Sequence, residues 1–299
     1  MSHSPTTDDS WTVGQLLSWT AKWLAQRGSE SARLDAEVLL SHVRGCPRIA
    51  LYTTFEDLVS LDQRKRFRDL VRRRGNGEPV AYLVGTKEFF SLNFNVSPSV
   101  LVPRPETEGL VVRVLDVCKE ALPETSAPAI VDVGTGSGAI AVTLAKHLDC
   151  ASISASDISE DALRQARENA NLHHVDDRIT FIKSDLLDDA HLTGPWDIIV
   201  SNPPYVRSDE FEGLPNSVRC FEPRQALVGG PTGVEIISRL IHQAGACLKV
   251  GGWLLIEIGP NVHDAMQQIL ANTSGLEQGP IIHDLAGRPR IVQAKKIEM

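Results

Sequence analysis

The chain reads as an α/β protein with an open, mostly parallel sheet, preceded by a small helical bundle. Three observations predict this. From Ala129 onward, short apolar runs suited to strands alternate with amphipathic helical stretches, the pattern of successive βα units. Before residue 75 the apolar residues recur only at helical spacing. A glycine-rich turn, Gly134-Thr135-Gly136-Ser137-Gly138, leaves the first of the apolar runs and opens a helix.

Residues 1–10 are polar and are expected to be disordered. Val13, Leu16, Leu17, Thr20, Trp23 and Leu24 then mark a first helix that Gly28 closes. A second runs from Ala32 to Val43 through Leu34, Val38, Leu39 and His42, ended by Gly45 and Pro47. A third spans Leu61 to Arg73 with Phe67, Leu70 and Val71 turned inward. The tryptophan and leucine stripe of this bundle reads as core. Gly75-Asn76-Gly77 interrupts the helical pattern. Phe89 to Val96 and Val100 to Val102 then read as the strands of a β-hairpin around a Ser-Pro-Ser turn. Thr107 to Leu122 reads as helix.

Strands follow at Ala129–Val133, Ser152–Ser156, Ile179–Lys183, Asp197–Ser201 and Trp253–Ile258. Helices lie between and after them at Gly138–Leu148, Ser159–Asn171, Val234–Leu248 and Val262–Leu270. A terminal strand pair is expected around Ile281 and Arg290–Ala294, turning at Gly287. The expected organisation is a disordered stretch at 1–10, a helical domain at 11–75, a hairpin linker at 76–105 and a ligand-binding domain at 106–299.

Composition narrows the function classes. With 42% hydrophobic and 23% charged residues, the 299-residue chain has the balance of a soluble globular protein. The five cysteines are scattered without a Cys-x-x-Cys pair, which disfavours a disulfide framework or a zinc site and fits a reducing cytoplasm. His173-His174 reads as a surface pair, so no metal site is expected. No targeting leader and no membrane-length apolar run is read in the sequence. The net charge of −8 is uneven. Residues 1–74 hold 12 Lys+Arg against 9 Asp+Glu, and the remainder 18 against 29. An acidic body disfavours sequence-independent nucleic-acid binding. The basic run around Arg64-Lys65-Arg66, Arg68 and Arg72-Arg73-Arg74 reads first as the solvated face of a helix; the sharper alternative is a patch that meets a partner.

The chemistry-bearing residues follow the strands. The glycine turn lets the backbone approach a ligand closely. Asp157, 19 residues past Gly138 at the end of the second strand, is placed to accept hydrogen bonds from two ribose hydroxyls. Asp185, just after the third strand and followed by Leu186, is placed to reach an adenine exocyclic amine. The glycine spacing is one residue shorter than the dinucleotide pattern, and a ligand without phosphate needs no clear helix N-terminus. These features fit S-adenosylmethionine. Ile198-Ile199-Val200-Ser201 reads as a buried strand stopped by Asn202-Pro203-Pro204-Tyr205, a stiff corner offering an amide side chain and a flat ring. Such a corner can clamp a planar group bearing an NH2.

At this point the residues resemble a known family. The chain is similar to class I S-adenosylmethionine-dependent methyltransferases, and within them to the protein-(glutamine-N5) methyltransferases of the PrmC/HemK type. The likeness rests on Ala32-Arg33-Leu34-Asp35-Ala36-Glu37, on Glu78-Pro79-Val80-Ala81-Tyr82-Leu83-Val84-Gly85 with Glu88-Phe89, and on Leu101-Val102-Pro103-Arg104-Pro105-Glu106-Thr107-Glu108. It continues through the glycine turn, Asn202–Tyr205 and Glu222-Pro223-Arg224-Gln225-Ala226-Leu227. Leu186 departs from it, since relatives often carry an aromatic after the aspartate.

The resemblance implies a seven-stranded catalytic sheet, a helical substrate-recognition domain and, as substrate, the glutamine of the Gly-Gly-Gln tripeptide in class 1 peptide-chain release factors. S-adenosylhomocysteine would be the product, and a monomer is expected. Asn202 and Pro203 are then the expected acceptors of the two amide N–H bonds, with Tyr205 stacked on the amide plane and Pro204 completing the corner. Phe89 and Phe90 either flank the glutamine or pack in the core. Arg104 is a candidate substrate contact, or forms a structural ion pair with Glu106. Glu257, at the end of the fifth strand, could be a buried polar support. Two rival activities share the clamp: methylation of an adenine amine in nucleic acid, and methylation of a ribosomal-protein glutamine. A non-catalytic binding module and a dinucleotide oxidoreductase fit the motifs less well.

Overall fold

In the computed structural model, residues 10–121 and 127–298 are described. The expectations for residues 1–9 and for Leu122 therefore fall outside the described residues. The chain divides into two compact units, one of Met1–Gly85 with Asn216–Phe221, the other of Thr86–Pro215 with Glu222–Met299.

The first unit holds α1 (Val13–Ala25), α2 (Ala32–Arg44), a short α3 (Ala50–Thr53), α4 (Leu61–Gly75) and α5 (Val80–Val84). Thr12 caps α1 through a reciprocal box with Gln15, and Ser60 caps α4 by accepting from the Gln63 N–H. Gly45 ends α2 in the left-handed conformation. Val13, Leu17, Leu24, Leu39, Leu40 and Phe67 make the core. The buried face of α2 is not the expected one. Leu34 is exposed, whereas Asp35 and Glu37 are buried. The two carboxylates tolerate burial because cations meet them: Arg74 Nε lies 2.7 Å from Asp35, and Arg33 and Arg48 lie 2.7 and 2.9 Å from Glu37. The tryptophan stripe is likewise only partly core. Trp19 is half exposed and stacks on Trp23, which carries the Arg27 guanidinium on its ring.

The second unit begins with a hairpin of β1 (Thr86–Phe89) and β2 (Leu92–Asn95), followed by α6 (Glu108–Ala121). The hairpin corrects the expectation. Thr86 pairs with Asn95 and Phe89 with Leu92, so Phe89 ends the first strand rather than beginning one, and 100–102 is not a strand. Phe90 and Ser91 make the turn at φ of +50° and +60°. Neither residue type signals a tight turn, so the strand pattern alone misplaced it. Asn169, fully buried, ties this hairpin to the body. It accepts from the Asn95 N–H at 2.7 Å and donates to the Asn95 carbonyl at 2.9 Å and the Ser137 carbonyl at 2.8 Å.

The alternating units follow: β3 (Ala129–Val133), α7 (Ala139–His147), β4 (Ser152–Asp157), α8 (Glu160–Leu172), β5 (Ile179–Lys183) and β6 (Trp196–Ser201). The chain continues through β7 (Val206–Arg207), β8 (Val228–Gly230), α9 (Glu235–Cys247), β9 (Leu248–Glu257), α10 (His263–Ala271), β10 (Leu276–Gln278), β11 (Ile282–His283) and β12 (Pro289–Lys296). The main sheet runs β10-β12-β9-β6-β3-β4-β5, with β11 also paired to β12. The pairs β4–β5, β3–β4, β3–β6 and β6–β9 are parallel, and β12 lies antiparallel to β9 with β10 and β11 on its outer side. The chain grows outward from β3 in both directions, so the carboxyl ends of β3 and β6 form the switch point where such sheets bind ligands.

Alternate residues of each strand enter opposite cores, as a two-faced buried sheet requires. Ile130, Ile198, Val200 and Leu255 pack with Leu110 and Val114 of α6 and Leu144 of α7. Val131, Ile199, Leu254 and Ile256 pack with Ile237 and Leu240 of α9 and Met266 of α10. Among the described residues, no helix is long and apolar enough to cross a membrane.

Candidate active site

The cavity of interest opens at the carboxyl ends of β3, β4 and β6. The glycine turn supplies bare backbone. Gly134 and Gly136 sit at φ of +73° and +57°, and a Cβ on either would meet nothing within 4 Å. A ligand can therefore lie directly on this chain segment. Gly138 does a different job from the one expected. Its added Cβ would come within 3.1 Å of Ala166, so it lets α7 and α8 approach and does not line the cavity. Thr135 and Ser137 do line it.

Asp132 anchors the turn from below and was given no role in the sequence. It is fully buried and accepts from the Thr135 hydroxyl at 2.6 Å and the Ala141 N–H at 3.2 Å. Burial pushes its carboxyl up to about 7, against the pull of those two bonds. Its place as the last aspartate before the glycine turn was the available signal.

Asp157 stands at the end of β4, at the cavity wall. It accepts the Gly136 N–H and the Ser159 N–H, both at 2.9 Å. Burial raises its pKa while backbone bonds oppose the rise. The Ile158 N–H also faces the carboxylate, whose four lone pairs still leave room for a further donor. Asp185 also lines the cavity, but its Oδ2 pairs with Arg239 of α9 at 2.8 Å. Leu186 beside it adopts a left-handed φ of +56°, rare for a side chain of this kind and a strain typical of functional loops. Bare backbone and two carboxylates suit a ligand with hydroxyls and an exocyclic amine.

The Asn-Pro-Pro-Tyr corner follows β6. Ser201, fully buried, donates from its hydroxyl to the Val133 carbonyl at 2.7 Å and so locks the ends of β6 and β3 side by side. This brings Asn202 next to the glycine turn. Asn202 and Pro204 line the cavity, with Pro203 buried between them. The Asn202 Nδ2 donates to the Thr107 hydroxyl at 3.0 Å, and its Oδ1 has no hydrogen-bond partner among the described residues. Thr107, which was given no role in the sequence, lies in the Pro-Arg-Pro-Glu-Thr segment, and its hydroxyl stands beside the Glu257 carboxyl.

Three expectations need correction. Tyr205 does not line the cavity; its ring sits against Gly259, where an added Cβ would be 2.9 Å away. Burial and the nearby Glu257 charge raise its pKa. Phe90 does not line the cavity either. The turn carries it onto the His147 ring, 5.1 Å edge to face. Phe89 lines the cavity while also packing on Phe94 in the core. Arg104 reaches the cavity wall, but its ion pair is with Glu222 at 2.6 Å, not with Glu106. Glu222 also accepts the Val102 N–H at 3.3 Å. Among the described residues there is no group of His, Cys, Asp and Glu able to hold a metal ion.

The fold is that of a class I methyltransferase. Two solved structures share the fold at low identity: a methyltransferase from Pyrococcus furiosus (TM-score 0.51, 19% identity, 71% of this chain and 92% of that one) and the hMettl16 catalytic domain (0.56, 17%, 75% and 84%). Residues 15–85 match the family model of the PrmC N-terminal domain, and residues 116–214 that of the methyltransferase small domain. The release factor glutamine methyltransferase of Rhodopirellula baltica is 47% identical over 97% of this chain and 98% of its own. That of Koribacter versatilis is 39% identical over 95% and 99%. The chain belongs to the release factor glutamine methyltransferase family; it is an enzyme that transfers methyl groups.

Proposed function

We propose that this enzyme methylates the side-chain amide nitrogen of the glutamine in the Gly-Gly-Gln tripeptide of class 1 release factors, with S-adenosylmethionine as donor. The observation that carries the reading is the fixed Asn202 amide, whose Oδ1 is the end not bonded to Thr107, beside a bare glycine turn. The family names of near-full-length relatives support the substrate.

S-adenosylmethionine supplies an electrophilic methyl on its sulfonium. The residues present fit it: Gly134 and Gly136 offer the open backbone, Asp157 the acceptors for ribose hydroxyls, and Asp185 with Leu186 the adenine end. The protein's own task is orientation. A glutamine amide nitrogen is a poor nucleophile because its lone pair is delocalised into the carbonyl. In our reading Asn202 Oδ1 and the Pro203 carbonyl accept its two N–H bonds and turn the lone pair toward the donor. Phe89 and the aliphatic part of Arg104 then border the glutamine side chain. Tyr205 acts on the corner from behind, through Gly259, rather than on the substrate.

Incubation with methyl-labelled S-adenosylmethionine tests this, using an intact release factor, a copy with the Gly-Gly-Gln glutamine changed to alanine, and duplex DNA. Label on the intact factor alone supports the proposal. Label on DNA, or equal label on both factors, refutes it.

A further inference from the structure

The strand register places Glu257 beside Asn202. The last pair between β6 and β9 is Ser201 with Ile256, so the next residue of each strand stands at the same level, at the rim of the cavity. Glu257 itself is 1% exposed and cannot touch a substrate. One of its oxygens, Oε2, is buried and finds no hydrogen-bond partner among the described residues. Its other contact is Thr107, and Thr107 in turn receives the Asn202 Nδ2 at 3.0 Å. A carboxylate kept in the dark at such cost needs an explanation that packing does not give.

Hydrogen-bond counting supplies one. A hydroxyl has a single proton. An ionised Glu257 has only lone pairs, so the Thr107 proton must point to it. The Thr107 oxygen then faces Asn202 with lone pairs alone, and Asn202 must answer with its NH2. The carbonyl end of the Asn202 amide is thereby the one left for the cavity. If Glu257 carries a proton, the chain can run the other way. Glu257 donates to Thr107, Thr107 donates to Asn202 Oδ1, and the NH2 group turns outward to meet a substrate NH2, donor against donor.

We propose that Glu257, acting through the Thr107 hydroxyl, is a positioning residue that fixes which end of the Asn202 amide faces the substrate. The inference rests on the reading of Asn202 Oδ1 as acceptor of the glutamine N–H. It makes the site directional without placing a charge in contact with the reacting atoms. Burial holds the Glu257 carboxyl up at about 7, with the Thr107 bond pulling it down. Arg290 and Arg104 also lower it, and Glu106 raises it. Arg290 is only partly available to Glu257, since it reaches Asp284 at 3.3 Å. Tyr205 faces Glu257 as well and feels its charge. The outward-facing acceptor is therefore enforced above about pH 7, and that constraint is lifted as pH falls through that value.

The test has a readout that needs no substrate. The side-chain NH2 resonances of Asn202 are assigned by their absence in N202A and followed with pH in uniformly nitrogen-15-labelled full-length protein. In the wild type they shift with a midpoint near 7. In E257Q and T107V they do not titrate. Turnover at saturating donor falls in the wild type as pH drops through the same midpoint, and in E257Q loses that limb. T107V loses about 10–100-fold in kcat with cofactor Kd changed less than about threefold, and T107S restores most of the rate. Asn202 resonances that do not titrate in the wild type, or titrate equally in E257Q, overturn the inference, as does an unchanged kcat in T107V. Titration as described without methyl transfer to any glutamine leaves the hold of Glu257 on Asn202 standing and refutes the glutamine reading instead.

Discussion

Asn169 is a small residue with a large structural duty, and replacing it gives a measurable test of how the site is held. In N169A three hydrogen bonds disappear: one accepted from the Asn95 N–H and two donated to the Asn95 and Ser137 carbonyls. At about 1 kcal/mol net for each, the loss is about 3 kcal/mol. Asn169 is fully buried, so the abandoned groups regain little water and the loss should reach about 3–5 kcal/mol. That is a large share of the ~5–15 kcal/mol that separates folded from unfolded domains. The Ser137 carbonyl belongs to the glycine turn, so donor affinity should weaken together with stability. N169D sharpens the test. Its carboxylate would face two carbonyl oxygens, so it should be the worse variant at neutral pH. A protonated carboxyl can donate to one of them, so N169D should gain stability relative to N169A as pH falls. Urea unfolding followed by circular dichroism gives the stability, and calorimetric titration with S-adenosylmethionine gives the affinity. An N169A protein within 1 kcal/mol of wild type would refute the claim that this side chain pins the hairpin and the turn.

Other perturbations separate the parts of the site. N202A should lower kcat about 10²–10³-fold, the size of losing one preorganised transition-state contact, while donor Kd in calorimetry changes less than about threefold. G136A should cost about 1–2 kcal/mol in urea unfolding from its left-handed backbone. The same change should cut donor affinity at least about tenfold, because the new Cβ enters the open space over the turn. The Asp132 carboxyl is raised to about 7 in the folded state, so it favours folding most below its unfolded value and that contribution is lost as pH rises through about 7. Urea unfolding at several pH values should therefore show wild type losing stability relative to D132N between about pH 4 and 7, and parallel curves would count against the assignment.

The sheet and its ligand end were legible because their signals are local. Strand runs such as Ile198–Val200 are apolar on both faces, the glycine turn adjoins its strand, and Asp157 stands at a strand end. What escaped the sequence was carried by distant pairs or by unusual backbone. Arg104 finds Glu222, 118 residues away, rather than its neighbour Glu106. Thr107 and Asn202 are 95 residues apart, and nothing in either segment alone announces their bond. The face of α2 was misread because acidic residues count as exposed until their cations are known; Arg74 lies 39 residues from Asp35. The hairpin was shifted because Phe90 and Ser91 hold turn conformations usually left to glycine or asparagine. The terminal pair of β11 and β12 was expected, but β10, on the same edge of β12, is too brief to show a period.

The most direct test of the central claim locates the transferred methyl. A class 1 release factor treated with enzyme and S-adenosylmethionine is digested, and the peptide carrying Gly-Gly-Gln is sequenced by fragmentation mass spectrometry. The account predicts one added methyl on the glutamine side chain of that tripeptide, absent when N202A replaces the wild-type enzyme. Methyl on another residue, or an unmodified tripeptide with methylated nucleic acid in a parallel reaction, would contradict it.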